Sequence, residues 1–246
     1  MPKFFISPAD TDGKRAVVRG DDAAHITKSL RMRAGERLTL CDGAGHDYLC
    51  TVEGVGTEVL LAIDEVRPSR GEPPDRAVVY QALSKGDKFD TVVQKSVECG
   101  AAAIVPVQTE WATVRLTAAD CEKKRARWQK IAASAASQCG RGIVPEVMPL
   151  MSFAEAVDAA ARADVALICY EDERRLTMRE ALAGFTPAGG EPFSVSVMIG
   201  PEGGFSGREI ASAAEKLKSV TLGERILRTE SAAPFALACL SMAYEM

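Results

Sequence analysis

The stretch Ile199-Gly200-Pro201-Glu202-Gly203-Gly204-Phe205-Ser206-Gly207-Arg208-Glu209-Ile210 sets four glycines and a proline directly behind an apolar run. Glycine carries no Cβ, so a backbone made of it can approach a ligand or another chain segment closely. Phosphate is a common occupant of glycine-rich turns, but the spacing here is neither G-x-G-x-x-G nor G-x-x-x-x-G-K-[ST]. Arg208 stands where G-x-S-x-G needs its last glycine, which excludes a nucleophile elbow. The loop therefore reads as one built for close backbone approach, with a plain tight turn as the alternative.

Other reactive groups are sparse. There are two histidines, His25 and His46, which disfavours most zinc sites and a Ser-His-Asp triad, so no metal is expected. The seven cysteines are odd in number, scattered and never spaced C-x-x-C, so a reducing cytoplasm with buried free thiols is expected. Net charge is −4, which counts against a non-specific nucleic-acid binder but leaves room for local basic clusters. Two such clusters occur, Lys28/Arg31/Arg33/Arg37 and Lys123/Lys124/Arg125/Arg127/Lys130, each with a solvated face as its plain reading. No apolar run approaches the ~20 residues that a transmembrane helix needs, and the N-terminal residues lack the apolar core of a signal peptide.

The elements that must position the loop follow from periodicity. Phe193–Ile199 reads as a strand, and Ser206 with Glu209 fits a capping box that starts a helix near Gly207. Ligands in open α/β sheets sit at this end of a strand. Over 246 residues, the first ~70 read as short strands (4–6, 16–19, 37–41, 48–53, 59–66) with one helix over 22–30 capped by Asp21 or Asp22. A small barrel fits that pattern. Pro68–Asp75 has linker composition. Beyond it, strands near 77–83, 103–107, 164–170, 193–199 and 220–222 alternate with helices, one of them capped by Asp87 and ended by Gly100, others opened by Ser152 and by Ser231. That alternation predicts a mainly parallel sheet covered on both faces. The expected domains are 1–70 and 76–246.

Ile199-Gly200-Pro201-Glu202-Gly203-Gly204-Phe205, together with Leu222-Gly223-Glu224-Arg225-Ile226-Leu227-Arg228-Thr229-Glu230, resembles the ribosomal RNA small subunit methyltransferase E family. Further matching stretches are His25–Met32, Lys85–Lys88, Gln94–Gly100, Arg127–Ile131 and Ala136–Arg141 with Val144-Pro145. Two positions depart from the family pattern. Glu110-Trp111-Ala112 stands where Glu-Arg-Ser is usual, which removes a cation, so no RNA-binding role is carried over to position 111. Ser231 stands where Thr is usual and keeps a capping hydroxyl.

The resemblance implies an α/β fold of the SPOUT type, a trefoil-knotted parallel-sheet domain preceded by a small PUA-like β-barrel. It implies S-adenosylmethionine as cofactor, held by Tyr170, Ile199, Gly200, Pro201, Gly203, Gly204, Leu222, Gly223, Ile226 and Leu227. The implied reaction methylates N3 of a uridine in 16S ribosomal RNA, in the cytoplasm, by a homodimer acting on the RNA or the small ribosomal subunit, without membrane or metal. N3 must lose a proton, and Glu202 and Glu230 are the candidate bases; a loop carboxylate and a helix N-terminal charge are their structural alternatives. Arg228 could stabilise charge on the uracil oxygens, grip a phosphate, or form a structural ion pair. Arg15, Arg19, Lys28, Arg31 and Arg33 of the first domain, with Lys85, Lys88 and Arg141 of the second, are candidate RNA contacts. A ribose 2′-O-methyltransferase is disfavoured by Arg228-Thr229-Glu230-Ser231, where such relatives carry Ser-Leu-Asn. A non-catalytic RNA-binding assembly factor is disfavoured by the intact glycine loop.

Overall fold

A computed structural model describes residues 3–187 and 192–246 of the chain. Two compact units emerge, one of residues 1–72 with 136–144, the other of 73–135 with 145–246.

The first unit holds β1 (Lys3–Phe5), β2 (Arg15–Val18), α1 (Gly20–Ala24), β3 (Arg37–Cys41), β4 (His46–Val55) and β5 (Val59–Pro68). The strands pair in the order β1-β3-β4-β5-β2, antiparallel except for β1 with β3. Among the described residues, β1 and β2 therefore end an open hydrogen-bonded path, and the expected barrel closure is not made through them. Register shifts at Leu49/Cys50 and Val52/Gly54 mark bulges, which bend a strand. Alternating strand residues, among them Phe4, Leu38, Leu40, Val52 and Leu61, form its core together with Ile26 of the helical segment. The helix starts earlier than the sequence suggests. Arg19 takes the N-cap position, Asp21 and Asp22 lie in the first turn, and a π-helical turn continues over His25–Ser29.

The segment 136–144 joins this unit through specific bonds. Ser137 Oγ donates to Lys3 O at 2.6 Å, Lys3 Nζ donates to Gly140 O at 3.0 Å, and Cys41 Sγ donates to Gly142 O at 3.0 Å. Glu72, read from sequence as part of a linker, accepts from Arg141 Nη2 at 2.6 Å and from the N–H groups of Gly142 and Ile143. Arg141 is 4% exposed. Its expected role as an RNA contact of the second domain is thereby corrected: it lies in the first unit with its charge consumed by Glu72.

The second unit holds β6 (Asp75–Ala82), α2 (Lys88–Glu98), β7 (Ala103–Gln108), α3 (Ala118–Cys139, whose last turn belongs to the first unit), β8 (Glu146–Val147), β9 (Met151–Ser152), α4 (Phe153–Ala160), β10 (Val165–Cys169), α5 (Met178–Ala183), β11 (Phe193–Ile199), α6 (Gly207–Ala213), β12 (Lys218–Val220) and α7 (Thr229–Tyr244). The order β12-β10-β11-β6-β7-β8, with β9 also on β7, is parallel throughout. Alternation splits the central strands between two covered faces. Tyr80, Val105, Val107, Ile168 and Met198 pack with α4 and Phe205 on one side. Gln81 points the other way, to α7, which also packs on α2 and α5. A sheet buried on both faces explains the near-continuous apolar run of β11.

Capping follows the local rules in part. Ser152/Glu155 and Ser206/Glu209 form full capping boxes. Asp87 occupies the N-cap position of α2, but its side chain makes no cap bond; it lies 3.5 Å from Arg127 instead. α7 begins at Thr229, so Ser231 lies inside the helix and supplies no cap. Of the seven free cysteines, Cys41 and Cys50 are buried and Cys139 is exposed. Burial pushes the Cys50 thiol up to about 12, which makes it unreactive at neutral pH.

Candidate active site

Three loops leave the carboxyl ends of β10, β11 and β12, where a parallel sheet presents its ligand-binding edge. Together they line a cleft of about 300 Å³. The loop after β11 makes the tightest turn. Gly204 donates its N–H to Pro201 O at 3.0 Å and adopts φ +73°, a conformation that disfavours any residue with a Cβ. A Cβ there would also fall on the Glu171 carboxylate. Gly200 is constrained by proximity rather than by φ: its Cβ would stand 3.3 Å from the Gly204 backbone and from the Phe205 ring. Both glycines keep the cleft wall at backbone thickness.

The base of the loop is tied to α7 by a buried bridge that sequence reasoning missed. Thr229 Oγ1 donates to Gly200 O at 2.7 Å and accepts from Gln81 Nε2 at 2.9 Å. Gln81 and Thr229 are 148 positions apart, so no local signal could reveal the pair. Its clue in the sequence was a glutamine at a position that a parallel-sheet strand buries.

Most of the expected cofactor residues converge. Tyr170, Ile199, Gly200, Pro201, Gly204, Leu222, Gly223, Ile226 and Leu227 all line the cleft, joined by Cys169, Glu171, Thr221 and Arg225. Gly203 lies outside the lining and faces Trp111 instead. Ile226 is 76% exposed, an apolar side chain left at the cleft without a core to enter. Among the described residues, no acceptor within the protein answers the N–H groups of Glu224 to Leu227. An adenosine moiety fits such a wall: apolar side chains for its rings, and main-chain donors and acceptors for its edge.

The two candidate carboxylates differ. Glu202 Oε1 accepts from Lys88 Nζ at 2.8 Å and from the Lys85 N–H at 3.2 Å. Burial pushes its pKa up, but the Lys88 ammonium and the backbone donors outweigh that and hold it below the usual carboxylate range. Glu202 is therefore a weak base with its better lone pairs in use, and Lys88 is a cleft residue engaged by it rather than an unpaired surface cation. Glu230 is freer. Its Oε1 lies 3.9 Å from Arg228 Nη1, beyond hydrogen-bond range, and its Oε2 is buried with no hydrogen-bond partner among the described residues. A partnerless buried carboxylate oxygen in a cleft wall points to a group that arrives with a ligand. Arg228, at the N-cap of α7, has an 84% exposed side chain at the same cleft.

The remaining expected cations divide by environment. Lys28, Arg31, Arg33 and Lys85 are exposed. Arg15 pairs with Glu53 at 3.2 Å, and Arg19 with Asp10 and Glu58 at 2.9 and 2.8 Å. Such exposed pairs are worth little and can be exchanged for a phosphate. Among the described residues, no group of three His, Cys, Asp or Glu side chains is placed to hold a metal, and no helix is long and apolar enough to cross a membrane.

Comparison with known proteins identifies the family. The RNA methyltransferase domain family matches residues 71–241, and the RNA methyltransferase PUA domain family matches residues 18–63. The ribosomal RNA small subunit methyltransferase E of Bacillus subtilis (strain 168) is 32% identical over 253 residues, covering 100% of this chain and 98% of its own. The structure of the corresponding enzyme of Neisseria gonorrhoeae bound to S-adenosyl methionine superposes with a TM-score of 0.85 at 32% identity, over 99% of this chain and 98% of that one. A methyltransferase of Legionella pneumophila in complex with bound SAM gives 0.83 at 31% identity, over 98% and 97% of the two chains. With both family matches and full-length identity above 30%, the chain belongs to the ribosomal RNA small subunit methyltransferase E family.

Proposed function

We propose that this protein transfers a methyl group from S-adenosylmethionine to N3 of a uridine in 16S ribosomal RNA. The observation that carries the reading is the thin-walled cleft after β10, β11 and β12, with Glu230 and Arg228 at its edge. When bound, the sulfonium supplies an electrophilic methyl and a neutral leaving group. The protein's own task is to align and deprotonate the nucleophile. The loops at 199–204 and 222–227 orient the cofactor through main-chain atoms, and Thr229 holds the first of them in place. Glu230 Oε2 takes the N3 proton, and Arg228 stabilises the negative charge that then spreads to the uracil oxygens.

Replacement of Arg228 by alanine tests the assignment. The side chain is solvent-exposed, so fold and calorimetric affinity for S-adenosylmethionine should be unchanged. Turnover on small-subunit RNA, read by mass mapping of methylated nucleotides, should fall about 10²–10³-fold. An undiminished rate would overturn the role of Arg228. Absence of any heat with S-adenosylmethionine would instead favour a binding module without catalysis.

Lys28, Arg31, Arg33 and Lys85, with Arg15 and Arg19 once released from their carboxylates, supply phosphate contacts, and the reaction takes place in the cytoplasm where its RNA is. In this reading the path after β12 forms a trefoil knot; an experimental structure in which α7 can be withdrawn without crossing another loop would overturn that. The working unit is a homodimer, supported by α7 leaving Phe235, Ala238 and Met242 exposed along one stripe. Sedimentation as a monomer at micromolar concentration would refute it.

A further inference from the structure

Two tryptophans occur in the chain, and they have opposite fates. Trp128 is buried, packs against Phe89 with tilted rings whose centroids are 4.1 Å apart, and donates its indole N–H to Asp90 Oδ1 at 3.0 Å. Trp111 is 49% exposed, on the segment that follows β7. An exposed indole on a loose loop would mean little, but this loop is fastened on every side. Thr109 and Ala112, which flank it, are 2% and 3% exposed. The Glu110 N–H donates to Glu209 Oε1 at 2.8 Å, and the Glu110 carboxylate accepts from Ser206 Oγ at 2.7 Å and from Arg208. Arg115 closes the turn by donating to the carbonyls of Thr109 and Glu110 at 2.9 and 3.0 Å. The anchors Ser206 and Glu209 are themselves the buried capping box of α6.

This anchored segment borders the site. A Cβ on Gly203 would stand 3.7 Å from Trp111 Cβ. Gly203 lies between Glu202 and Gly204, which both line the cleft. Glu202 holds Lys88, also in the lining, and the Lys85 N–H. A half-exposed aromatic ring on an anchored segment, beside a cleft lined by Lys88, Arg225 and Arg228, matches the way proteins hold unpaired bases: stacking on the ring, with cations nearby for the backbone.

We propose that Trp111 is a stacking platform for an unpaired nucleobase of the RNA substrate beside the methylated nucleotide, and so a positioning residue for the reaction. The inference rests on the reading of the substrate as RNA.

The test uses the full-length protein, a mixed-sequence 12-mer oligoribonucleotide and S-adenosylmethionine. Because Trp128 is buried, RNA should quench the emission of Trp111 selectively. Trp111→Ala should abolish that quenching and weaken RNA binding about 5- to 100-fold. Trp111→Phe, which keeps a ring, should recover most of the affinity. The slope of log affinity against log salt should stay unchanged in both variants, whereas loss of a phosphate contact shallows it by about 0.7. Calorimetric affinity for S-adenosylmethionine should also stay unchanged, which checks that the loop is intact. Equal RNA affinity of native protein and Trp111→Ala overturns the platform alone and leaves the indole to a protein contact on the subunit. A shallower salt slope, or no rescue by phenylalanine, also overturns it. Failure of the native protein to bind the RNA overturns both the platform and the RNA reading.

Discussion

Glu230→Gln should lower turnover on small-subunit RNA about 10²–10⁴-fold at neutral pH, the contribution expected of a positioned general base. Glutamine has nearly the same shape and can still occupy the first turn of α7, so folding and cofactor affinity should change little. The prediction follows from an asymmetry between two carboxylates in one cleft. Glu202 has its Oε1 committed to Lys88 and the Lys85 N–H, and those donors hold its pKa down. Glu230 presents a buried Oε2 with no hydrogen-bond partner among the described residues. If Glu230 acted only as a charge at a helix N-terminus, the variant would lose well under ~1 kcal/mol of stability and no rate. The pH profile separates the two. With the base removed, the rate should rise steeply with pH as uracil N3, the nucleophile proposed above, ionises unaided, and the variant should approach the native enzyme in alkali. Native turnover by Glu230→Gln at neutral pH would sink the assignment.

Arg141→Ala should destabilise the protein by about 3–5 kcal/mol, the usual cost of breaking a buried ion pair on one side. The Arg141 and Glu72 side chains are 5% and 21% exposed, so water cannot replace the guanidinium fully. Glu72 would retain the N–H groups of Gly142 and Ile143 but lose its counter-charge. Urea unfolding should report the loss as a lower midpoint. Arg141→Lys should fall between, because an ammonium keeps the charge without the two-pronged fork. A variant of native stability whose RNA affinity drops, with a shallower salt dependence, would restore Arg141 to the RNA surface and contradict its burial.

The same residue shows where sequence reasoning reaches its limit. Arg141 is a lone cation between two glycines, Gly140 and Gly142, which reads as exposed, and its partner lies 69 positions away in a segment of linker composition. Neither fact alone suggests a buried pair. The boundary of the units had the same cause: residues 136–144 follow a long helix and read as part of the second domain, yet Lys3, Cys41 and Glu72 draw them into the first. Asp87 and Ser231 show the converse error. Each has the right residue type for a helix cap, but Asp87 is drawn to Arg127, and α7 begins two residues before Ser231.

The chain by itself determined whatever depends on neighbours three or four residues apart. The capping box of α6, the turn at Gly204, the apolar run of β11 and the parallel alternation are all written in short-range spacing, because helix and strand periods are short. Recurring motifs then linked the two C-terminal loops to one family. Only the tertiary structure decided which carboxylate is engaged and which is left over, since Lys88 and Glu202 are 114 positions apart. It also decided that Thr229 braces Gly200 and that Trp111, not Trp128, meets solvent. Partnership and burial are properties of chain crossings, and a crossing leaves no periodic trace in the sequence that makes it.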